Sequence, residues 1–258
     1  GGGAGVYYHL SYWGRPHDYL WLTTTQPGLI YNEMREAYNY NARRLWIVNV
    51  HVLKPAAYDL EFFLDMAWDI NSITPSTIKN HHENWLKREF GESAGKNLLP
   101  AMLEFYRLCG MRKPEFMGWS QVELDKKVYA RGWSPVKDTE FSLTEFGGEL
   151  DRYLEACENV KKTVSEVEKT IPAGKKDAFF SHIKYPVFSV SAMAVKMLEA
   201  QRARAIAAGN YNFTRWERDH DLMVASAKSM NAYQEIRRLT DFYNNEMSGG
   251  KWKHSMVH

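Results

Sequence analysis

The chain lacks most features that fix a protein class at once. It has two cysteines in 258 residues, Cys109 and Cys157. Two are too few for a disulfide scaffold, and they do not sit at metal-ligand spacing. It has no excess of either charge: 33 Lys and Arg stand against 31 Asp and Glu. The formal charge of +2 therefore gives no electrostatic case for nucleic acid or an anionic membrane. No run approaches the roughly 18 apolar residues of a membrane span. Gly1 to Gly5 offer neither a basic nor an apolar leader segment, so no export signal is read there. There is no internal repeat, no phosphate-binding glycine loop after a strand, and no Gly-x-Ser-x-Gly elbow. What is present is ordinary globular composition, 45% apolar and 25% charged, which excludes a wholly disordered chain. The length suits one large domain or two ordinary ones and needs no disulfide or metal to hold a core. Aromatic residues reach 14%, nine of them Trp. That excess suits either a core of large side chains or a ligand-facing surface, and composition does not choose between them.

Two regions of different periodicity meet near Asn71 to Pro75, which gives units at 1–71 and 72–258. The first alternates strand and helix. Val6 to Trp13 reads as a strand ending at Gly14, and a long loop with a Thr23-Thr24-Thr25 run leads to Pro27-Gly28. A helix over Pro27 to Tyr40 places Ile30, Met34, Ala37 and Tyr38 on one side. Leu45 to Val50 is a nearly unbroken apolar run, the pattern of a parallel strand buried on both faces. A helix over Asp59 to Trp68 follows, with Leu60, Phe63, Leu64 and Ala67 as its expected apolar stripe. The second region is helical. Thr74-Pro75 opens a helix that Gly91 stops, and another helix ends at Cys109-Gly110. Residues 110–141 form an irregular connection containing Trp119 and Trp133. Ser142-x-x-Glu145 reads as a capping box. Behind it Leu143, Phe146, Leu150, Tyr153, Cys157, Val160, Val164, Val167 and Ile171 keep strict 3-4 alternation, a bundle or coiled-coil seam. After Pro172 a helix runs to Gly209, with Pro186 expected to kink it. Thr214-x-x-Glu217 opens the last helix, which ends at Gly249-Gly250. Two βα units make neither a closed barrel nor a useful open sheet, so the pattern reads as mainly α: the end of a larger parallel α/β domain whose other strands are absent, followed by a five-helix bundle. A small complete α/β cap on a helical domain is the other reading.

Active sites of parallel α/β folds lie at the carboxyl ends of the strands. There the sequence offers Tyr7, Tyr8, His9, Ser11, Tyr12, Trp13 and Arg15, and then Asn49, His51 and Lys54. An aromatic and polar array with a cation suits a hydroxylated anionic ligand. Asn49 interrupts an apolar strand, and an unpaired amide there costs about 1–3 kcal/mol. It is read equally as a satisfied core amide and as a ligand contact. His9 and Arg15 have the equally plain readings of a strand histidine bonded to a loop and a solvated loop cation. Neither strand end carries Asp or Glu, which hydrolysis of a glycoside needs as a pair. His17-Asp18 in the loop is a weak acid–base candidate, and Asp59, Glu61 and Asp65 read as a solvated helix face. His81-His82-Glu83 and Asp219-His220-Asp221 are consecutive on helices, so their side chains diverge and do not hold a metal. His254 and His258 lie near the carboxyl end, where a metal pair carries little weight. No metal and no cofactor is expected.

Several segments resemble glycoside hydrolase family 115, the xylan α-1,2-glucuronidases. They are Tyr7 to Pro16 with Tyr19-Leu20-Trp21, Arg44 to Val50 with Leu53-Lys54-Pro55, and Glu61 to Trp68. Trp85 to Gly91, Asp177 to Phe180 with Tyr185-Pro186-Val187, and Gly249 to His254 follow in the same order. The resemblance spans nearly the whole chain, and its strand-end pieces are the specific ones. It implies a larger enzyme with an amino-terminal domain, a (β/α) barrel, a helical bundle and a carboxy-terminal β-sandwich, of which this chain is a fragment. The implied reaction is inverting removal of (4-O-methyl-)glucuronic acid from glucuronoxylan or aldouronic oligosaccharides, outside the cell or in the periplasm. The implied catalytic carboxylates lie upstream of Tyr7. This chain would supply the pocket rim, with Tyr7, Tyr8, His9, Tyr12, Arg15 and Asn49 as substrate-binding candidates and Arg15 pairing the uronate carboxylate. The sequence departs from many members at Ser11, where they carry Asp, and at His51-Val52, where they carry Gly-Asp. Two readings from other classes stand beside it: a helical dimerisation module through the 143–171 seam, and a small sugar-binding protein using the Tyr7 to Trp13 aromatics.

Overall fold

The computed structural model describes residues 2–11, 19, 22–117, 138–209 and 214–256. The protein is mainly helical, with two parallel strands among the described residues. β1 (Gly5–His9) and β2 (Leu45–Asn49) pair in register, Gly5 opposite Leu45 and His9 opposite Asn49. Gly5 is needed where the strands meet, because a Cβ there would stand 2.5 Å from the Leu45 carbonyl oxygen. α1 (Pro27–Asn39) makes the crossover, started by Pro27 and buried through Ile30 and Met34. α2 (Ala57–Trp68) follows β2.

Alternation gives the sheet two unlike faces. Val6, Tyr8, Trp46 and Val48 pack toward the helices, with Tyr8 and Trp46 both against Phe63. On the opposite face Tyr7 is 57% exposed, Leu45 60% and Ile47 44%. The expected two-sided burial of β2 is therefore corrected: helices cover one face of these two strands and nothing described covers the other. The α2 stripe is corrected as well. Its buried residues are Tyr58, Asp59, Phe62, Phe63 and Met66, whereas Leu64 and Ala67 face outward. Aromatic stacking decides the choice, since Tyr58, Phe62, Trp85 and Tyr106 gather on that side.

The helical region comprises α3 (Ile78–Phe90), α4 (Glu92–Met111), a 3₁₀ turn at Pro114–Phe116, α5 (Glu149–Glu168), α6 (Tyr185–Ala207) and α7 (Arg215–Asp241). Each helix from α2 onward packs on the next. α3 starts later than Pro75, because Thr74 to Thr77 close a turn in which the Thr74 amide donates to Thr77 Oγ1 at 2.9 Å. Gly91, with φ of 96°, reverses the chain into α4. Gly95 then lets the helices touch: a Cβ there would lie 2.6 Å from the Lys87 nitrogen.

The seam is buried from Leu150 to Ile171. Phe146 is not part of it; it is 72% exposed in a turn where Phe146, Gly147 and Gly148 all have positive φ. Glu145 donates its amide to Ser142 Oγ at 2.9 Å, but the reciprocal carboxylate on the Ser142 amide is that of Glu149, at 3.0 Å. Seam residues are spent within the chain, with Tyr153 donating to the Leu108 carbonyl at 3.3 Å. Pro186 acts through a π-helical turn, Phe180–Lys184, placed just ahead of α6. Widening that turn accommodates the proline ring and its missing donor. The Thr214–Glu217 capping box forms, with the Thr214 amide donating to Glu217 at 2.9 Å. Trp119 and Trp133 lie outside the described residues.

Candidate functional site

The strand ends bring together three of the six candidates. Register places His9 beside Asn49, and both share the open face with Tyr7. The Asn49 amide donates to His9 Nδ1 at 3.0 Å. An amide nitrogen can only donate, so His9 accepts at Nδ1 and carries its proton at Nε2 when neutral. The Tyr7 ring meets the His9 ring edge-on, 4.9 Å between centroids. The Asn49 carbonyl accepts from the amides of both Leu10 and Ser11, at 3.1 and 3.2 Å, which curls the end of β1 over β2. Tyr8 points the other way, onto Phe63, and burial with Glu33 and Asp59 nearby pushes its hydroxyl up to about 12. It is thus not brought to the Tyr7–His9–Asn49 group. Tyr12 and Arg15 lie outside the described residues, as do Trp13, His17 and Asp18. Lys54, past the end of β2, is held over the Trp252 ring at 4.6 Å.

The three acids read as a solvated face separate. Glu61 pairs with Arg88 at 2.6 Å and Asp65 with His81 at 2.9 Å, both partly exposed. Asp59 is only 1% exposed, which overturns its expected solvation. It accepts from Thr23 Oγ1 at 2.7 Å and from the Tyr106 hydroxyl at 3.0 Å. Burial pushes its carboxyl up to about 7, against the two hydrogen bonds and the Lys113 charge. The signal was available: Asp59, Phe62, Phe63 and Met66 fall at helical i, i+3, i+4, i+7 spacing. Its neighbours belong to one polar layer under the strand ends. Thr24 Oγ1 donates to Glu115 at 3.3 Å, Thr25 Oγ1 to the Leu10 carbonyl at 3.3 Å, and Gln26 Nε2 to the Tyr106 carbonyl at 2.8 Å.

His82 is buried and stacked on Tyr58, with ring centroids 3.9 Å apart, while His81 and Glu83 bond elsewhere. Burial lowers His82 to about 3 and His182 to about 4. Among the described residues no three His, Cys, Asp or Glu side chains gather as a metal set. Cys109 and Cys157 are buried free thiols, and burial raises both.

A parallel β-α-β pair with a polar aromatic cluster at its strand ends defines the class: an α/β piece joined to a mainly helical region. The resemblance to glycoside hydrolase family 115 holds. Residues 1–116 match the model of Glycosyl hydrolase family 115. The chain is also similar to a solved family 115 4-O-methyl-α-glucuronidase, BtGH115A, with specificity for decorated arabinogalactans. Identity is 41% and the TM-score 0.82, over 99% of this chain and 30% of that one. The chain thus spans about 30% of the length of that relative. No curated protein matches.

Proposed function

We propose that the chain is part of a family 115 glycoside hydrolase that releases (4-O-methyl-)glucuronic acid from a decorated plant polysaccharide by inversion. Residues 1–71 would be the last βα units of its (β/α) barrel, and residues 72–258 a five-helix bundle. The observation that carries this reading is the sheet's open face. Tyr7, Leu45 and Ile47 stand exposed directly beside the polar His9–Asn49 pair. An apolar strip at the foot of a strand pair with a polar group at its carboxyl end is what the inner wall of a (β/α) barrel presents to neighbouring strands. Tyr7, His9 and Asn49 would line the pocket rim, joined by Tyr12 and Arg15, with Arg15 on the uronate carboxylate. Tyr8 would act only by holding its strand.

The acid and base of an inverting reaction must flank the scissile bond about 6.5–9.5 Å apart. Asp59 in the polar layer is buried and held by Thr23 and Tyr106, and neither described strand end carries an Asp or Glu, so the pair is assigned to other parts of a longer protein. Glucuronoxylan is the substrate implied by the strand-end segments, and decorated arabinogalactan the one named for the solved relative. The protein would act outside the cell or in the periplasm; no described helix is long and apolar enough to cross a membrane. The test is release of the uronic acid from both polysaccharides, by the full-length protein and by this chain alone. Release by the first and not by the second is expected. No release by the full-length protein from either substrate overturns the activity, and release by the chain alone overturns the assignment of the carboxylates.

A further inference from the structure

Three consecutive threonines bind three different elements. Thr23 reaches Asp59 at the start of α2, Thr24 reaches Glu115 in the 3₁₀ turn after α4, and Thr25 reaches the Leu10 carbonyl at the end of β1. All three are buried. Lys113 lies 3.5 Å from Thr25 Oγ1, and Gln26 bonds the Tyr106 carbonyl. Gly110 is the clearance for this contact, since a Cβ there would collide with the Gln26 amide. The chain of bonds continues upward. Leu10 donates its amide to the Asn49 carbonyl, and Asn49 holds His9. The helical region thereby reaches the strand ends through side chains of α4 and the turn that follows it.

We propose that this threonine clasp positions the ends of β1 and β2, so that Thr23, Thr25, Asp59 and Glu115 are positioning residues for the sugar site. The inference rests on the hydrolase reading for its sugar, but its geometry stands apart from it. Hydroxyls on successive residues point in different directions, so three partners on three elements fix the segment against both rotation and sliding. None of the four side chains is on the open face, and their effect on a ligand passes through Leu10 and Asn49.

The experiment uses the full-length protein carrying this chain, with Thr23→Val and Thr25→Val beside Thr23→Ser and Thr25→Ser. Valine keeps the shape and removes the hydroxyl; serine keeps the hydroxyl. Hydrogen exchange at the Leu10 and Ser11 amides should quicken about tenfold in the valine variants and stay near wild type in the serine variants. With an aldouronic oligosaccharide, KM should rise about fivefold while kcat holds within about twofold, the mark of binding lost equally in the ground and transition states. Unchanged exchange in folded valine variants overturns the clasp, and faster exchange with unchanged KM overturns its role in binding. Should a valine variant not fold, Thr24→Val, which removes the hydroxyl that donates to Glu115, carries the same two readouts. A wild-type protein that releases no uronic acid sinks the hydrolase reading alone, and the exchange result still decides the clasp.

Discussion

Replacing Asp59 with Asn should make the protein relatively more stable as pH rises. Asp59 is 1% exposed, and its carboxyl is raised by burial from 3.8 to about 7 in the folded chain. In the unfolded chain it ionises near 4. A raised folded value means its stabilising contribution is complete below about pH 4 and lost as pH climbs through 7. The separation of about three pH units corresponds to about 4 kcal/mol by pH 8. Asn has the shape of the protonated acid, with one acceptor for one hydroxyl and a donor for the other, and Thr23 and Tyr106 can each turn to suit it. At pH 4 the Asp59→Asn variant should therefore match wild type within about 1 kcal/mol, the scale of one neutral hydrogen bond. By pH 8 it should exceed wild type by up to about 4 kcal/mol, a figure that already contains the attraction of Lys113 for the ionised carboxylate. Urea unfolding followed by tryptophan fluorescence at pH 4, 6 and 8 measures this, because other titrating groups cancel in the difference between the two proteins. A difference that stays flat with pH, or that turns against the variant as pH rises, refutes the argument.

Leu150→Ala in the seam removes a fully buried side chain and should cost about 2–5 kcal/mol in denaturant unfolding. Gly95→Ala should cost about 1–3 kcal/mol, because its methyl meets the Lys87 backbone and α3 and α4 must part. Thr214→Ala deletes an exposed capping box and should cost about 0.5–1 kcal/mol, read as faster amide exchange over the first turn of α7. His82 and His182 are held neutral by burial, with folded values below the unfolded 6.5. The unfolded chain takes up their protons first, so stability should fall as pH drops from 6.5 toward 4, and His82→Gln should flatten that fall in acid-unfolding curves.

The elements whose signals are local were legible in the sequence. Pro27 starts α1, Gly91 stops α3, Thr214 and Glu217 cap α7, and Leu150 to Ile171 bury as their spacing demands. Signals that depend on what stands opposite were not. The run Leu45 to Val50 cannot reveal which of its faces is covered, because apolarity is the same on both sides of a strand that meets helices and of one that meets other strands. Phe146 keeps the seam period and still leaves it, since Gly147 and Gly148 let the chain take positive φ before α5 begins. α2 carried two overlapping stripes, and aromatic partners on α3 and α4, distant in sequence, selected the one that includes Asp59. The candidate site divided the same way. His9, Asn49 and Tyr7 were expected at the strand ends, but only register and pleat separate Tyr7 from Tyr8.

That division explains why a buried acid beneath the site escaped the sequence reading. A carboxylate on a helix is ordinarily solvated, and the Asp59 neighbours in sequence, Glu61 and Asp65, are partly exposed and bonded to Arg88 and His81 on α3. What buries Asp59 is a hydroxyl 36 residues earlier and another 47 residues later. Neither contact has a sequence signature, but each is costly to leave unmade once the acid is enclosed. An enclosed acid held by neutral hydroxyls gives an orientation that a surface ion pair would not, because neither partner can turn to water. The same enclosure that raises its proton affinity fixes Thr23. Through Thr25 and Leu10 that fixed segment reaches the strand end bearing His9, so pH-dependent stability at Asp59 and exchange at Leu10 are two readings of one set of contacts.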